Sequence, residues 1–501
     1  MRNILRRSIL LLCIGIMLTG WVVLPAMAAE NPEKNMAEDI SGRSLVTAYS
    51  GARDIGGLFN KLHVDELKLK SGAAITLSHE GGIGSLYLVF VLEYGVYTVT
   101  NEDTGESHTW GEHGFLHEFL DLEEAFGTTP TSVTLHFDNG DAVLNEIYAF
   151  TSGETPTFVQ KWEPPLDGKT DLVLFSTHGD DEQLFFAGLL PYYAVERDYQ
   201  VQVVYLTNHR NVTLCRTGEM LNGLWAVGVK AYPVFGTFFD FEAESLPEAY
   251  LWYEIWGTSK EELLSFVVEQ IRRFRPKVAV GHDFDGEYGH YMHILYTDLL
   301  VQALEISNDE TRFPELAEKY GVWDVPKTYI HLYPENPIVM DWDTPLESFD
   351  DMTAFEVTKK LGFPCHLSQQ IYFDWYFSGI NRADEIQLFS PCKYGLYRST
   401  VGLDVQKNDF FENLTTHEED AVLEQIRQEE ARREEEARQA EETARKETQA
   451  QPLETEPRQM EVIQQEKERP VNLWIICGTA TVLFAALVAL ISAWRNRKVS
   501  K

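Results

Sequence analysis

The sequence predicts an α/β protein with a second, all-β part. A Rossmann-like domain with a parallel sheet is expected over 169–405, preceded by an all-β sandwich over 43–155. Three observations carry this reading. Short alternating apolar runs, separated by Gly, Asn and Asp, fill the first region, which is the pattern of sandwich strands. In the second region, apolar strand-type runs alternate with helix-type stretches, which is the pattern of a parallel sheet with right-handed crossovers. Finally, two clusters of His and acidic residues each sit where a strand-type run gives way to a helical pattern.

Taken in order, the chain of 501 residues opens on Arg2, Arg6 and Arg7, an apolar run from Ser8 to Leu24, and Ala26-Met27-Ala28. That is the layout of a secretory signal, expected over 1–28. Residues Asn31 to Ser41 have a disordered composition. The predicted sandwich strands are Ala74–Ser78, Leu86–Leu92, Tyr97–Thr100, Ser132–Phe137 and Val143–Phe150. Trp110 is either a sugar-stacking ring or part of the core. Thr155-Pro156-Thr157 and Glu163 to Gly168 read as a linker.

In the α/β region the predicted strands are Asp171–Ser176, Val201–Thr207, Tyr232–Phe235, Lys277–Gly281 and Thr328–Leu332. Helices are expected over Gln183–Tyr193, Lys260–Phe274 and Ile294–Leu304. No Gly-x-Gly-x-x-Gly follows the first strand, so no nucleotide cofactor is expected. The formal net charge of −36 argues against a nucleic-acid partner. No Cys-x-x-Cys occurs, and a Cys365–Cys392 bridge is left open.

Two clusters carry the chemistry. His178, Asp180, Asp181 and Glu182 follow the first α/β strand, where open α/β sheets bind ligands. Imidazole and carboxylate are zinc ligands, and a second carboxylate beside them can serve as base. The competing reading is an acidic helix N-terminus favoured by the helix dipole. The second cluster runs from His282 to His293, with His290 and His293 sharing a helix face. Two such junctions are hard to account for by packing alone.

With these motifs the sequence resembles the PIG-L/LmbE-like zinc N-deacetylases, which include de-N-acetylases of N-acetylglucosaminyl conjugates. The family's His-Pro-Asp-Asp-Glu is matched by His178-Gly179-Asp180-Asp181-Glu182, and its His-x-x-His by His290 to His293, preceded by Gly286-Glu287-Tyr288-Gly289. The resemblance spans Asp171 to Leu403. It implies Zn2+ held by His178, Asp181 and His293, with Asp180 as base and His290 at the oxyanion. Asp283, Glu287 and Tyr288 are expected to shape the sugar pocket. Arg216 matches a family position; it either binds substrate or pairs with Glu219. His366 or Gln369, in a segment like the family's late His-x-Ser-Gln, is expected at the pocket rim. Gly179 in place of Pro is expected to loosen the loop. The sandwich is similar to galactose-binding-like jelly rolls, which implies glycan binding.

Beyond the α/β domain, 417–470 turns to Glu, Arg, Gln and Ala without an a/d seam, so a charged, partly helical spacer is expected. Residues 471–494 carry no charge and are long enough for one transmembrane helix. The basic tail 495–501 then predicts a cytoplasmic C-terminus, a type I topology and a membrane-held extracellular catalytic domain. The expected function is zinc-dependent removal of the N-acetyl group from an N-acetylated sugar or glycan. The alternatives are a silent surface glycan-binding protein and a zinc amidase acting on a peptide-like bond.

Overall fold

The structure is a computed structural model that describes residues 35–62, 65–207 and 216–450, the side chains of 447–450 excepted. The expected signal sequence, the apolar stretch 471–494, the basic tail and the end of the spacer lie outside the described residues. Among the described residues no helix is long and apolar enough to cross a membrane. The chain divides into two compact units, one running to Gln425 and one from Ile426.

The sandwich consists of β1 (Val46–Tyr49), β2 (Leu67–Leu69), β3 (Ala73–Ser78), β4 (Ser85–Phe90), β5 (Tyr97–Asn101), β6 (Ser107–Trp110), β7 (His117–Asp121), β8 (Ser132–Phe137) and β9 (Ala142–Phe150). One sheet has the order β1-β3-β8-β5-β6, the other β2-β9-β4-β7. All strand pairs are antiparallel. In β3 buried and half-buried residues alternate, because one face meets the core and the other meets water. Ile75, Leu77, Leu88, Leu120, Leu135 and Leu144 from both sheets join one apolar cluster. Helix α1 (Leu122–Phe126) is capped by Asp121, whose carboxylate accepts from Glu124 N–H. Trp110 is half-buried on edge strand β6, its ring 6.3 Å from that of Phe126. The strands beyond the five expected ones are short or polar, and give little period-2 signal.

The second sheet has the order β12-β11-β10-β13-β14-β16-β15. Its strands are β10 (Leu172–Ser176), β11 (Val201–Thr207), β12 (Val234–Phe238), β13 (Val278–Gly281), β14 (Lys327–His331), β15 (Pro337–Val339) and β16 (Lys393–Ser399). The first five run parallel. The expectation of a parallel sheet needs correction at one edge, where β16 runs antiparallel to both β14 and β15. Lys393–Ser399 lacks a continuous aliphatic run and Pro337–Val339 has three residues, so neither carries the signature of a buried parallel strand. Every residue of central β10 and β11 is buried, as helices on both faces require. β10 leads to β11 on one side and neighbours β13 on the other. That is the switch point at which the loops beyond the strand ends form a crevice.

The helices that bear on the site are α2 (Asp181–Leu184), α3 (Arg216–Ala226), α4 (Leu246–Ile255), α5 (Lys260–Phe274) and α6 (Tyr291–Ile306). Further along come α7 (Pro314–Tyr320), α8 (Ala354–Val357), α9 (Gln370–Phe377) and α10 (His417–Ala450). α5 begins with a reciprocal capping box between Ser259 and Glu262. The expected helix Gln183–Tyr193 is broken. Gly188 takes φ +89°, and a Cβ there would lie 2.6 Å from Trp342 Cγ. The chain resumes as a π-helical turn over Pro191–Glu196.

The two domains dock through apolar surface. Phe115 stacks on Tyr232 with centroids 4.5 Å apart, and Tyr232 Oη accepts from Leu116 N–H at 3.1 Å. The expected linker is tied down as well, with Glu163 bridged to Ala231. Cys365 and Cys392 are free thiols.

Candidate active site

Four parallel strands deliver side chains to the crevice. The loop after β10 brings His178, Asp180 and Asp181; the loop after β12 brings Asp240; the loop after β13 brings His282 through His293; β14 ends on His331. His178 Nδ1 lies 3.0 Å from His293 Nε2, and Asp181 Oδ2 lies 3.2 Å from each of them. This near-equilateral triangle is buried.

The outer nitrogens of the two imidazoles show what the triangle is for. His178 Nε2 faces Asp240 Oδ1 at 3.1 Å, and His293 Nδ1 faces Glu287 Oε2 at 2.6 Å. Donating outward to those carboxylates leaves each neutral ring with a lone pair aimed at the other and at Asp181. Three converging lone pairs need a cation between them. Ligand atoms about 2.0–2.2 Å from a tetrahedral zinc stand roughly 3.3–3.5 Å apart, so the donor set fits that ion. The outward carboxylates supply the orienting contacts that metal-bound imidazoles commonly have.

His282 also lies 3.5 Å from Asp181 Oδ2, and with His293 it forms a second candidate triple. Its Nε2 accepts from Thr177 N–H at 3.0 Å, and its Nδ1 faces Glu287 at 2.9 Å. Both nitrogens are therefore committed, and His178 is the better third ligand. His290 converges with His178 and His293 too. Its Nδ1 accepts from Met292 N–H at 3.3 Å as the cap of α6, which places the proton of the neutral ring on Nε2. His290 thus offers an N–H donor rather than a lone pair.

Electrostatics follow from burial and charge. Burial alone would depress the His178 and His293 imidazoles, but carboxylates outweigh it. Asp240 and Asp181 hold His178 well above its ordinary value, and Asp181 and Glu287 lift His293 to about 9. Burial would raise Asp181, yet His293 and His178 hold it well below the carboxylate range. Asp180 is pushed up to about 6 by burial, against the opposing pull of Arg216. His290 is driven down to about 3 by burial and by the neighbouring imidazoles.

Asp180 sits beside the triangle at φ +140°, in a conformation that L-residues rarely adopt. Its Oδ1 is 3.2 Å from Arg216 Nη2, and its N–H donates to Glu182 Oε2 at 2.9 Å. Arg216 also donates to the Gly179 carbonyl and to Ser368 Oγ, and lies 3.7 Å from Glu219. Gly179 is packed, not loose: a Cβ there would meet Met220 Cγ at 2.1 Å.

The cleft over these groups has a volume of about 210 Å³. Asp180, Arg216, Tyr288 and His290 line it, together with Asp240 and Glu242, which residue spacing did not single out. Gln369 reaches the wall, and Tyr372 and Trp375 of α9 form an aromatic rim with Tyr288. Two expectations are corrected. Glu287 does not face the cleft, because its fully buried carboxylate is taken up by His282, His293 and His331 at 2.9, 2.6 and 2.6 Å. Asp283 lines a separate surface pocket with Phe284 and Tyr333. Of the two residues expected at the rim, Gln369 lines the cleft, while His366 is fully buried against Glu182 at 2.9 Å. Asp240 and His331 were missed because neither belongs to a His–acid cluster in sequence; each is brought to the crevice by its strand's place in the sheet.

A family model described as PIG-L, GlcNAc-PI de-N-acetylase, matches residues 173–304, the segment from β10 into α6. One curated relative is the 1D-myo-inositol 2-acetamido-2-deoxy-alpha-D-glucopyranoside deacetylase 1 of Catenulispora acidiphila, 27% identical over 33% of this chain and 56% of its own. Another is the corresponding deacetylase 2 of Saccharopolyspora erythraea, 34% identical over 19% of this chain and 34% of its own. The chain thus spans about half the length of such relatives, or less. A solved N,N'-diacetylchitobiose deacetylase from Pyrococcus horikoshii is 12% identical, covering 46% of this chain and 83% of its own at a TM-score of 0.30, which is too low to carry an argument.

Proposed function

We propose, from the premise that residues 173–304 are a PIG-L domain, that the protein is a zinc-dependent N-deacetylase acting on an N-acetylglucosamine-type sugar or glycoconjugate. The observation that carries the reading is the triangle of His178, Asp181 and His293 with a separate carboxylate, Asp180, at its edge.

His178, Asp181 and His293 would hold the zinc ion. When bound, zinc acts as a Lewis acid on the acetyl carbonyl and lowers the pKa of water beside it. Asp180, held by Arg216, is placed to take a proton from the attacking water and return it to the leaving amine. His290, neutral and carrying its proton on Nε2, donates to the carbonyl oxygen as negative charge develops there. Tyr288, Tyr372 and Trp375 offer ring faces to a sugar. At about 210 Å³ the cleft is below the roughly 300–1,000 Å³ of drug-sized sites. It suits one acetamido sugar, with the remainder of the conjugate outside.

The signal-type segment 1–28 and the apolar stretch 471–494 support a further part of the proposal, that the enzyme works outside the cell, anchored by a C-terminal span. Protease protection of the α/β domain in sealed cells would test that topology.

The activity is tested by measuring acetate release from a panel of N-acetylhexosamine oligomers, cell-wall fragments and small glycosides, with zinc quantified in the same preparation. Release that requires zinc supports the reading. No release from any member at full zinc occupancy would overturn it and leave the peptide-like amidase as the successor.

A further inference from the structure

The seam between the sandwich and the α/β domain holds a cavity of about 1040 Å³, several times the size of the catalytic cleft. Lys61, Lys161, Lys230 and Lys360 line it, against two carboxylates, Asp39 and Glu154. The whole chain has 42 basic and 78 acidic residues, whereas lysines outnumber carboxylates among the residues that line this cavity. Lys61 is paired with Asp39 at 2.8 Å and Lys360 with Glu356 at 2.5 Å. Lys161 and Lys230 make no ion pair among the described residues. They rest over rings instead, 4.1 Å from the Phe119 centroid and 3.5 Å from that of Trp225. Phe158 on the same wall is 45% exposed and is backed by Tyr148, with centroids 5.3 Å apart. An outward-facing ring braced from behind suits the apolar face of a sugar.

A smaller cavity of about 390 Å³ shares Lys61, Asn222 and Cys365 with the first and reaches Thr217, Glu219 and Leu367. These residues adjoin Arg216 and Gln369, which line the catalytic cleft. Between the two sides run the bonds from Ser368 N–H and Oγ to the Glu219 carboxylate, at 2.8 and 2.6 Å.

We propose that this seam is a second binding site, for an acidic oligosaccharide. Lys161 and Lys230 meet its carboxylates and Phe158 stacks on a ring. With a formal net charge of −36 over the whole chain, a wall lined by lysines is a place where a polyanion meets complementary charge. A glycan held there has its next units beside the catalytic cleft. The binding itself does not depend on the deacetylase reading; only its use for catalysis does.

The test uses the full chain carrying Asp180→Asn, so that no turnover intervenes. Binding of oligogalacturonate, a neutral chito-oligosaccharide and polyglutamate is measured by calorimetry at low and high salt. Oligogalacturonate is expected to bind tightest, and to weaken as salt screens the lysines. The double variant Lys161→Glu/Lys230→Glu should weaken it at least tenfold with zinc content and melting temperature unchanged, and Phe158→Ala should weaken it with the salt dependence retained. Absence of oligogalacturonate binding, or binding untouched by the double variant, would overturn the proposal. So would equal affinity for polyglutamate, which would make the seam an acidic-peptide site. Failure of acetate release in the parent chain bears only on the catalytic reading, since this binding is read without turnover.

Discussion

Glu287 shows how one residue's role changes when its surroundings are known. Its position in Gly286-Glu287-Tyr288-Gly289 points to a sugar contact, yet its carboxylate gathers His282, His293 and His331 in a fully buried knot. Burial would raise that carboxyl, but His282 and the hydrogen bonds from the other imidazoles hold it well below the usual range. Glu287→Gln is expected to weaken zinc affinity by about 10–100-fold, as loss of an orienting partner typically does. Competition with a chelator measures it, and an unchanged affinity would contradict the orienting role. Asp180→Asn makes the complementary case. Zinc stoichiometry should stay at the parent value while turnover falls by roughly 10²–10⁴, the usual worth of a general base. Elemental analysis and acetate release on one preparation separate the two effects, and loss of metal would mean that Asp180 is itself a ligand.

Among the elements, the turn after β10 departs furthest from its sequence pattern. The apolar residues from Leu184 to Leu190 allow a continuous helix, but Gly188 turns the chain at positive φ under the Trp342 indole. That break separates α2 from the π-helical turn over Pro191–Glu196. Gly188→Ala adds both a left-handed alanine and a Cβ inside the van der Waals envelope of Trp342. It is expected to destabilise the fold by roughly 1–3 kcal/mol, in the range of overpacked cores. A urea midpoint equal to that of the parent would show that Trp342 gives way freely. By contrast, α5 ends within the residues its pattern marks, because Ser259, Glu262 and an apolar stripe all lie in its own sequence.

For the whole molecule, the docking of sandwich on α/β domain is part of the core. Phe115, Trp162 and Tyr232 belong to one apolar cluster that reaches both domains. Removing 45–152 would expose that surface, so the shortened chain is expected to aggregate. The sandwich and the α/β domain should therefore melt together in a single calorimetric transition. Zinc at about 100 times its dissociation constant should shift that transition upward by roughly 2.7 kcal/mol of stabilisation. Two separated transitions, with zinc moving one alone, would show the domains to be energetically independent.

The sequence by itself determined the α/β class, the five parallel strands and the two clusters at their carboxyl ends. It could do so because a parallel strand buried on both faces must be a continuous apolar run, and within each cluster the residues, His178 to Asp181 and His290 to His293, lie within a helical turn of one another. Local spacing then carries the chemistry. The antiparallel strands β15 and β16, the partners Asp240 and His331, the buried place of His366 and the lysine-lined seam were decided only by the tertiary structure. Each depends on contacts between residues tens to hundreds of positions apart, such as His178 with Asp240 or His331 with Glu287. No local period encodes such a meeting; it follows from the order of strands in the sheet and from the packing of one domain against the other.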